Sequence, residues 1–157
     1  MKLLVSSSPH MFTRTTTSVL MRDVLIALVP ALAAAVWLFG WRALLVTAVA
    51  VAAAVLTEYL FEKAVGRDTT IGDCSAAVTG VLLAFNLPAT IPLWQAALGS
   101  IIAILVVKQL FGGIGRNFAN PAIVGRIVLF LSFSQAMTAW QFPDAVSSAT
   151  PLALMRA

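Results

Sequence analysis

The chain has 157 residues, 61 % hydrophobic and 10 % charged, whereas a soluble domain runs at about 45–50 % apolar and about 25 % charged. Too few polar side chains are present to cover a water-facing surface, which excludes a soluble globular enzyme, a disordered chain and a disulfide scaffold and leaves an integral membrane protein. The net charge is +4, and the placement of those charges argues against nucleic acid as a partner.

Residues 1–22 read as a polar N-terminal tail. The apolar run Leu3 to Val5 is far too short for the core of a secretory signal. Residues 23–140 read as a helical membrane domain, and 141–157 as a polar, turn-forming tail. The fold class that follows is all-α, a multi-pass transmembrane protein with about five membrane elements.

The first element is the uncharged run Val24 to Trp41, with Pro30 inside it as a candidate kink. The second runs from Ala43 past Glu58 to Phe61 and is rich in Ala and Val. Glu58 and Glu62, one turn apart at its end, read as a solvated rim. A polar loop follows, and Asp73 directly before the next apolar run suits a helix cap. The uncharged stretch Cys74 to Val107 is too long for one helix, and Pro88 and Pro92 divide it. The first piece, Cys74 to Asn86, is short and carries Gly80; the second, Leu93 to Phe111, is a full span with Lys108 near its end. Lys108 there reads as a snorkelling side chain at an interface. The fifth element starts at Pro121, capped by Asn120, and runs to about Met137. Arg126, about five residues inside it, reads as buried or facing a ligand. Short, glycine-interrupted elements entered from polar loops are either discontinuous membrane helices around a site or ordinary short, tilted helices.

Five crossings place Lys2, Arg14, Arg22, Lys63, Arg67, Lys108 and Arg116 on one side, and Arg42 and Arg156 on the other. The positive-inside rule then puts the N-terminus in the cytoplasm and the 144–157 tail on the outer face. A re-entrant third element would reverse the later assignments.

The stretch GGIGRNFANPA at 112–122 is a candidate site. Gly112, Gly113 and Gly115 permit unusual backbone and close approach, Arg116 adds a fixed charge, and Asn117 and Asn120 can satisfy open backbone groups. Tight helix packing explains the small residues equally well. With one His, His10, and one Cys, Cys74, the chain holds neither a bis-His haem nor a four-thiolate cluster of its own. The hydroxyls of the tail at 147–150 have no neighbouring base to make a nucleophile.

Four stretches in order resemble a known family: SSSPH at 6–10, TGVLLAFNLP at 79–88, KQLFGGIGRNFANPA at 108–122 and SSATPLA at 147–153. The chain resembles the RnfD membrane subunits of the Rnf electron-transport complexes, which are homologues of the NqrB subunit of the sodium-pumping NADH:quinone reductase. Phe118-Ala119 departs from the Pro-Phe pair more usual in that family. The resemblance implies FMN joined by a phosphoester to Thr150, preceded by Ser148 and Ala149, and leaves room for a second, non-covalent flavin. It implies a flavin transferase that loads Thr150, other Rnf subunits including an outer-face flavin subunit, and the bilayer of the inner (cytoplasmic) cell membrane as partners. The implied function is electron relay in a complex that couples ferredoxin and NAD redox chemistry to sodium or proton movement. Family members run to roughly twice this length, so the sequence reads as the first half of the family fold, a truncated chain. The competing readings are a channel or solute transporter with broken helices and no redox cofactor, and a purely structural membrane subunit.

Overall fold

A computed structural model describes residues 15–67 and 69–139. The protein is all-α and multi-pass. Helix α1 spans Thr17–Phe39 and α2 spans Trp41–Val65, and both are long and apolar enough to cross a bilayer. Shorter apolar helices follow: α3 (Ser75–Ala84), α4 (Leu93–Ile102), α5 (Pro121–Ser132) and the single turn α6 (Ser134–Thr138). A π-helical segment, Ala103–Gln109, continues α4.

The boundaries have local causes. Helix α1 begins seven residues before the expected Val24, because Arg22 and Asp23 sit within its early turns instead of ending it. Pro30 stays inside an uninterrupted helix. Gly40, at φ 77°, closes α1 by donating its N–H to the Val36 carbonyl at 2.9 Å and also precedes α2. Asn120 caps α5 as expected: its side-chain oxygen accepts from the Ala122 N–H at 3.0 Å, and Pro121 fills the first turn. The fifth element breaks at Phe133 (φ −135°, ψ 52°), so the expected run to Met137 is two helices rather than one.

Small residues let the helices approach. A Cβ on Gly80 of α3 would lie 2.7 Å from the Val51 Cα of α2, so the two backbones touch there. Gly125 of α5 packs against the Gly99 carbonyl of α4, which a Cβ would meet at 2.9 Å. The main core joins Val46 and Ala50 of α2, Leu83 of α3, Ala96 of α4, Leu129 of α5 and Met137 of α6. Hydroxyls within the helices are satisfied internally, as lipid requires: Thr47, Thr57, Thr79 and Ser100 each donate to the carbonyl four residues back, at 2.7–3.1 Å.

The helix ends sort into two groups. One end brings together Met21 of α1, Ser75 at the start of α3, Lys108 in the π segment and Asn120 before α5. The other brings Phe39 and Ala43 at the α1–α2 turn beside Phe85 and Pro88 after α3. At that second end Trp94 stacks edge-on against Phe133, and Thr90 donates to the Ala139 carbonyl at 3.3 Å. Helix α3 therefore runs from one end of the bundle to the other, and α4 returns antiparallel to it. Helices α1 to α5 thus alternate in direction between the two ends of the bundle.

Candidate functional site

The C-terminal part of α2 turns two carboxylates into the bundle. Glu58 and Glu62 are one turn apart and so share a face; they are 0 % and 2 % exposed. This overturns the expectation of a solvated rim. Opposite them, the π segment of α4 carries Lys108, 2 % exposed, and the buried Gln109. Lys108 does not snorkel: its ammonium is paired with Glu58 Oε1 and also donates to Ser75 Oγ. Charge inside an apolar bundle is tolerated only when paired in this way.

The π segment explains why two consecutive polar side chains face inward. Its bonds run five residues back, as in Leu110 N–H to the Leu105 carbonyl at 3.0 Å and Gly113 N–H to the Lys108 carbonyl at 2.9 Å. The wider turn buries Val107, Lys108 and Gln109 together.

Gln109 Nε2 donates to Glu58 Oε1 at 3.0 Å and lies 3.3 Å from Glu62 Oε1. Thr70, from the loop after α2, donates its N–H to Glu62 Oε2 at 3.0 Å. Its hydroxyl touches both carboxylates, Glu62 Oε1 closely and Glu58 Oε1 at 3.1 Å. Asp73 holds the start of α3 by accepting from the Ser75 N–H at 2.8 Å and the Ser75 hydroxyl at 2.6 Å. The N-cap position of α3 is Cys74, with left-handed backbone (φ 61°), so Asp73 stands one residue before the expected cap and bonds the first helical residue from there. Ser75 thus links Asp73 to Lys108. Glu58 Oε2 is buried and has no hydrogen-bond partner.

The glycine stretch packs against this cluster. Gly112, Gly113 and Gly115 have φ of 102°, 96° and 83°, which other residues rarely adopt. Gly112 and Gly113 line a cavity of about 270 Å³ with Glu62, Thr70 and Gln109. Asn117 and Asn120 line a second, of about 250 Å³, with Ser75 and Lys108. Asn117 Oδ1 is buried without a partner. Arg116 is exposed and folds its side chain back beside Gly112. Arg126 is partly buried and donates to Asn86 Oδ1 at 2.9 Å, so it faces a polar partner across the bundle. The expected attachment site, Ser148, Ala149 and Thr150, lies outside the described residues. Among the described residues no group of three or more His, Cys, Asp or Glu forms a metal site.

The sequence reading missed the union of Glu58, Glu62, Lys108 and Gln109. The available signal was the i,i+4 spacing of two carboxylates and one lysine, each at the end of a long apolar run.

The sequence profile of the NQR2, RnfD, RnfE family matches residues 4–157. The chain is 47 % identical over 160 residues to the D subunit of the Na(+)-translocating ferredoxin:NAD(+) oxidoreductase complex of Acetobacterium woodii, covering 100 % of the chain and 50 % of that relative. It is 43 % identical to the D subunit of the ion-translocating oxidoreductase complex of Alcanivorax borkumensis, over 99 % of the chain and 45 % of the relative. It is also 43 % identical to the D subunit of the proton-translocating ferredoxin:NAD(+) oxidoreductase complex of Clostridium ljungdahlii, over 97 % and 47 %. The chain spans about half the length of the curated relatives it matches.

Proposed function

Because the chain belongs to the NQR2, RnfD, RnfE family, we propose that it acts in the membrane-embedded D subunit of an Rnf-type complex that couples ferredoxin and NAD redox chemistry to movement of Na+ or H+. The observation that carries this reading is whole-chain similarity to two relatives whose names state ferredoxin:NAD(+) oxidoreduction with ion translocation. An all-α membrane bundle with a buried ion pair suits such a role.

The chain's redox contribution is a covalent FMN on the hydroxyl of Thr150, within the sequence SSAT. Bound flavin supplies one- and two-electron transfer. The protein supplies the ester oxygen and a membrane anchor that keeps the group from diffusing away. A flavin transferase loads the site, and the remaining Rnf subunits, including an outer-face flavin subunit, exchange electrons with it. The membrane is the inner cell membrane with the N-terminus in the cytoplasm. Lys63, Arg67, Lys108 and Arg116 cluster at the bundle end to which Met21 belongs, and Arg42 lies toward the opposite end, which supports this orientation. Ala139 lies at that opposite end.

The test is ultraviolet fluorescence of the denatured protein on a gel after co-expression with a flavin transferase. Wild type fluoresces and Thr150→Ala stays dark. A dark wild-type band overturns the flavin assignment and favours a broken-helix transporter, for which solute-dependent stabilisation replaces the fluorescence.

A further inference from the structure

We propose that Gln95 and the helix break at Ser132–Gln135 form the pocket that holds the isoalloxazine ring of the flavin on Thr150, with the Gln95 amide paired to the imide edge of the ring. The inference rests on the flavin attachment proposed above and names the residues that receive the ring.

An orphaned acceptor is the first observation. Gln95, in the first turn of α4, is 6 % exposed, and its Oε1 is buried without a partner. Local structure gives that oxygen's side chain no use. A glutamine at the third helical position ordinarily reaches back to the N–H of the capping residue. Here the cap is Pro92, which has no N–H, and the Gln95 backbone N–H already donates to the Pro92 carbonyl at 3.0 Å. A buried amide oxygen left in this state is an unfilled acceptor.

The second observation is the cavity beside it. Gln95 lines a space of about 370 Å³ together with Ser132, Phe133, Ser134 and Gln135, within the ~300–1,000 Å³ of ordinary ligand pockets. The helical run stops there, at Phe133, between α5 and α6. Phe133 supplies an aromatic wall, braced edge-on by Trp94 at a centroid distance of 5.2 Å. An aromatic face suits a planar ring system, and the two serine hydroxyls and Gln135, all exposed, add hydrogen-bonding groups at the rim.

Chemistry and position select the occupant. The pyrimidine edge of an isoalloxazine presents an N–H between two carbonyls. A primary amide complements it: Oε1 accepts from the ring N–H, and Nε2 donates to a flanking ring carbonyl. The cavities beside Glu62 and Lys108 lie at the opposite end of the bundle, and the gap beside α1 is lined by apolar residues alone. Ala139 is held at the same end as the pocket by Thr90. Thr150 follows eleven positions later, and that length of chain spans up to ~40 Å, so the pocket is within its reach.

The test uses the full-length subunit in liposomes, co-expressed with a flavin transferase in a host fed isotopically labelled riboflavin. Heavy nitrogen marks the imide N–H and heavy carbon the two flanking carbonyls. Subtracting the solid-state NMR spectrum of Thr150→Ala leaves the signals of the attached flavin. In Gln95→Leu the imide nitrogen and one carbonyl resonance are expected to shift toward their positions in an apolar solvent. A nitroxide on the exposed Ser134→Cys, in a Cys74→Ser background, broadens the signals, whereas one on the exposed Lys63→Cys at the other end of the bundle does not. These two labels decide the location even if Gln95→Leu fails to assemble. Resonances that Gln95→Leu leaves in place, or that the Ser134→Cys label leaves sharp, overturn the inference, and the Gln95 amide then serves packing alone. Gel fluorescence of the same samples separates the two readings. A dark wild-type band rejects the attachment at Thr150 and this pocket with it, and a bright band with unmoved resonances rejects the pocket alone.

Discussion

Lys108 and Glu58, fifty positions apart in the chain, meet as a buried ion pair that fastens the π segment after α4 to α2. Ser75, Gln109 and Thr70 gather around that contact. Breaking a buried pair from one side leaves an uncompensated charge, at about 3–5 kcal/mol, whereas removing both partners is often neutral. Lys108→Met is therefore expected to destabilise the full-length protein by about 3 kcal/mol, and Lys108→Met with Glu58→Gln to recover most of that loss. Denaturant unfolding in detergent, read as a double-mutant cycle, measures the coupling. A double-variant loss equal to the sum of the Lys108→Met and Glu58→Gln losses would show that the pair is not coupled.

The π segment sets the register of the pair. Deleting Val106, an exposed residue of that segment, turns five-residue bonds such as Leu110 N–H to the Leu105 carbonyl into ordinary four-residue ones, so the helix beyond it keeps its orientation. The coupling between positions 58 and 108 is expected to survive in that background. A deletion variant that loses the coupling would show that the pair depends on the wide turn itself.

Gly80 tests the close approach of α3 to α2. Gly80→Leu forces a side chain into the Val51 backbone and is expected to cost about 1–3 kcal/mol. Gly72→Ala, where nothing lies within 4 Å of the added Cβ, should stay within about 0.5 kcal/mol of wild type. Thermal unfolding of the two variants side by side separates crowding from a general glycine effect.

Asn120 holds the first turn of α5 through Ala122. Asn120→Ala is expected to lose about 1 kcal/mol and Asn120→Asp to retain the bond. Hydrogen exchange at the Ala122 amide reports the cap directly: exchange should quicken in the alanine variant and stay slow in the aspartate variant.

Topology is testable by labelling. In a Cys74→Ser background, Lys63→Cys and Arg116→Cys should react with an impermeant reagent from the same membrane face, and Trp41→Cys from the opposite one. Reaction of all three from one face would remove the alternating arrangement.

The elements are legible in the sequence where local chemistry decides them. Asn120-Pro121 announces the start of α5, and Pro88 and Pro92 announce the turn between α3 and α4, because capping and the proline ring act within a few residues. The polar cluster is not legible in the same way. A charge at the end of an apolar run looks like the edge of the membrane, and Glu58, Glu62 and Lys108 each sit at such an end. Their burial is decided by partners on other helices, together with a widened helical turn for which Ala103–Gln109 carries no local signature. The glycine stretch stands out as a site candidate by composition, but its neighbours come only with the packing: Gly112 and Gly113 lie beside Glu62, and Asn117 and Asn120 lie beside Lys108.

Helix α1 has no buried residue along its whole length. The half-buried side that it turns to the bundle carries Met21, Leu25, Leu28, Leu32 and Ala35, and a gap of about 250 Å³ is left between Ala31, Ala35 and Ala84 of α3. Acyl chains or other polypeptide, rather than this bundle, must then solvate most of its surface. Substitutions among apolar residues along α1 should barely alter the cohesion of α2 to α5, and the helix can enter the bilayer early and settle against its neighbours afterwards.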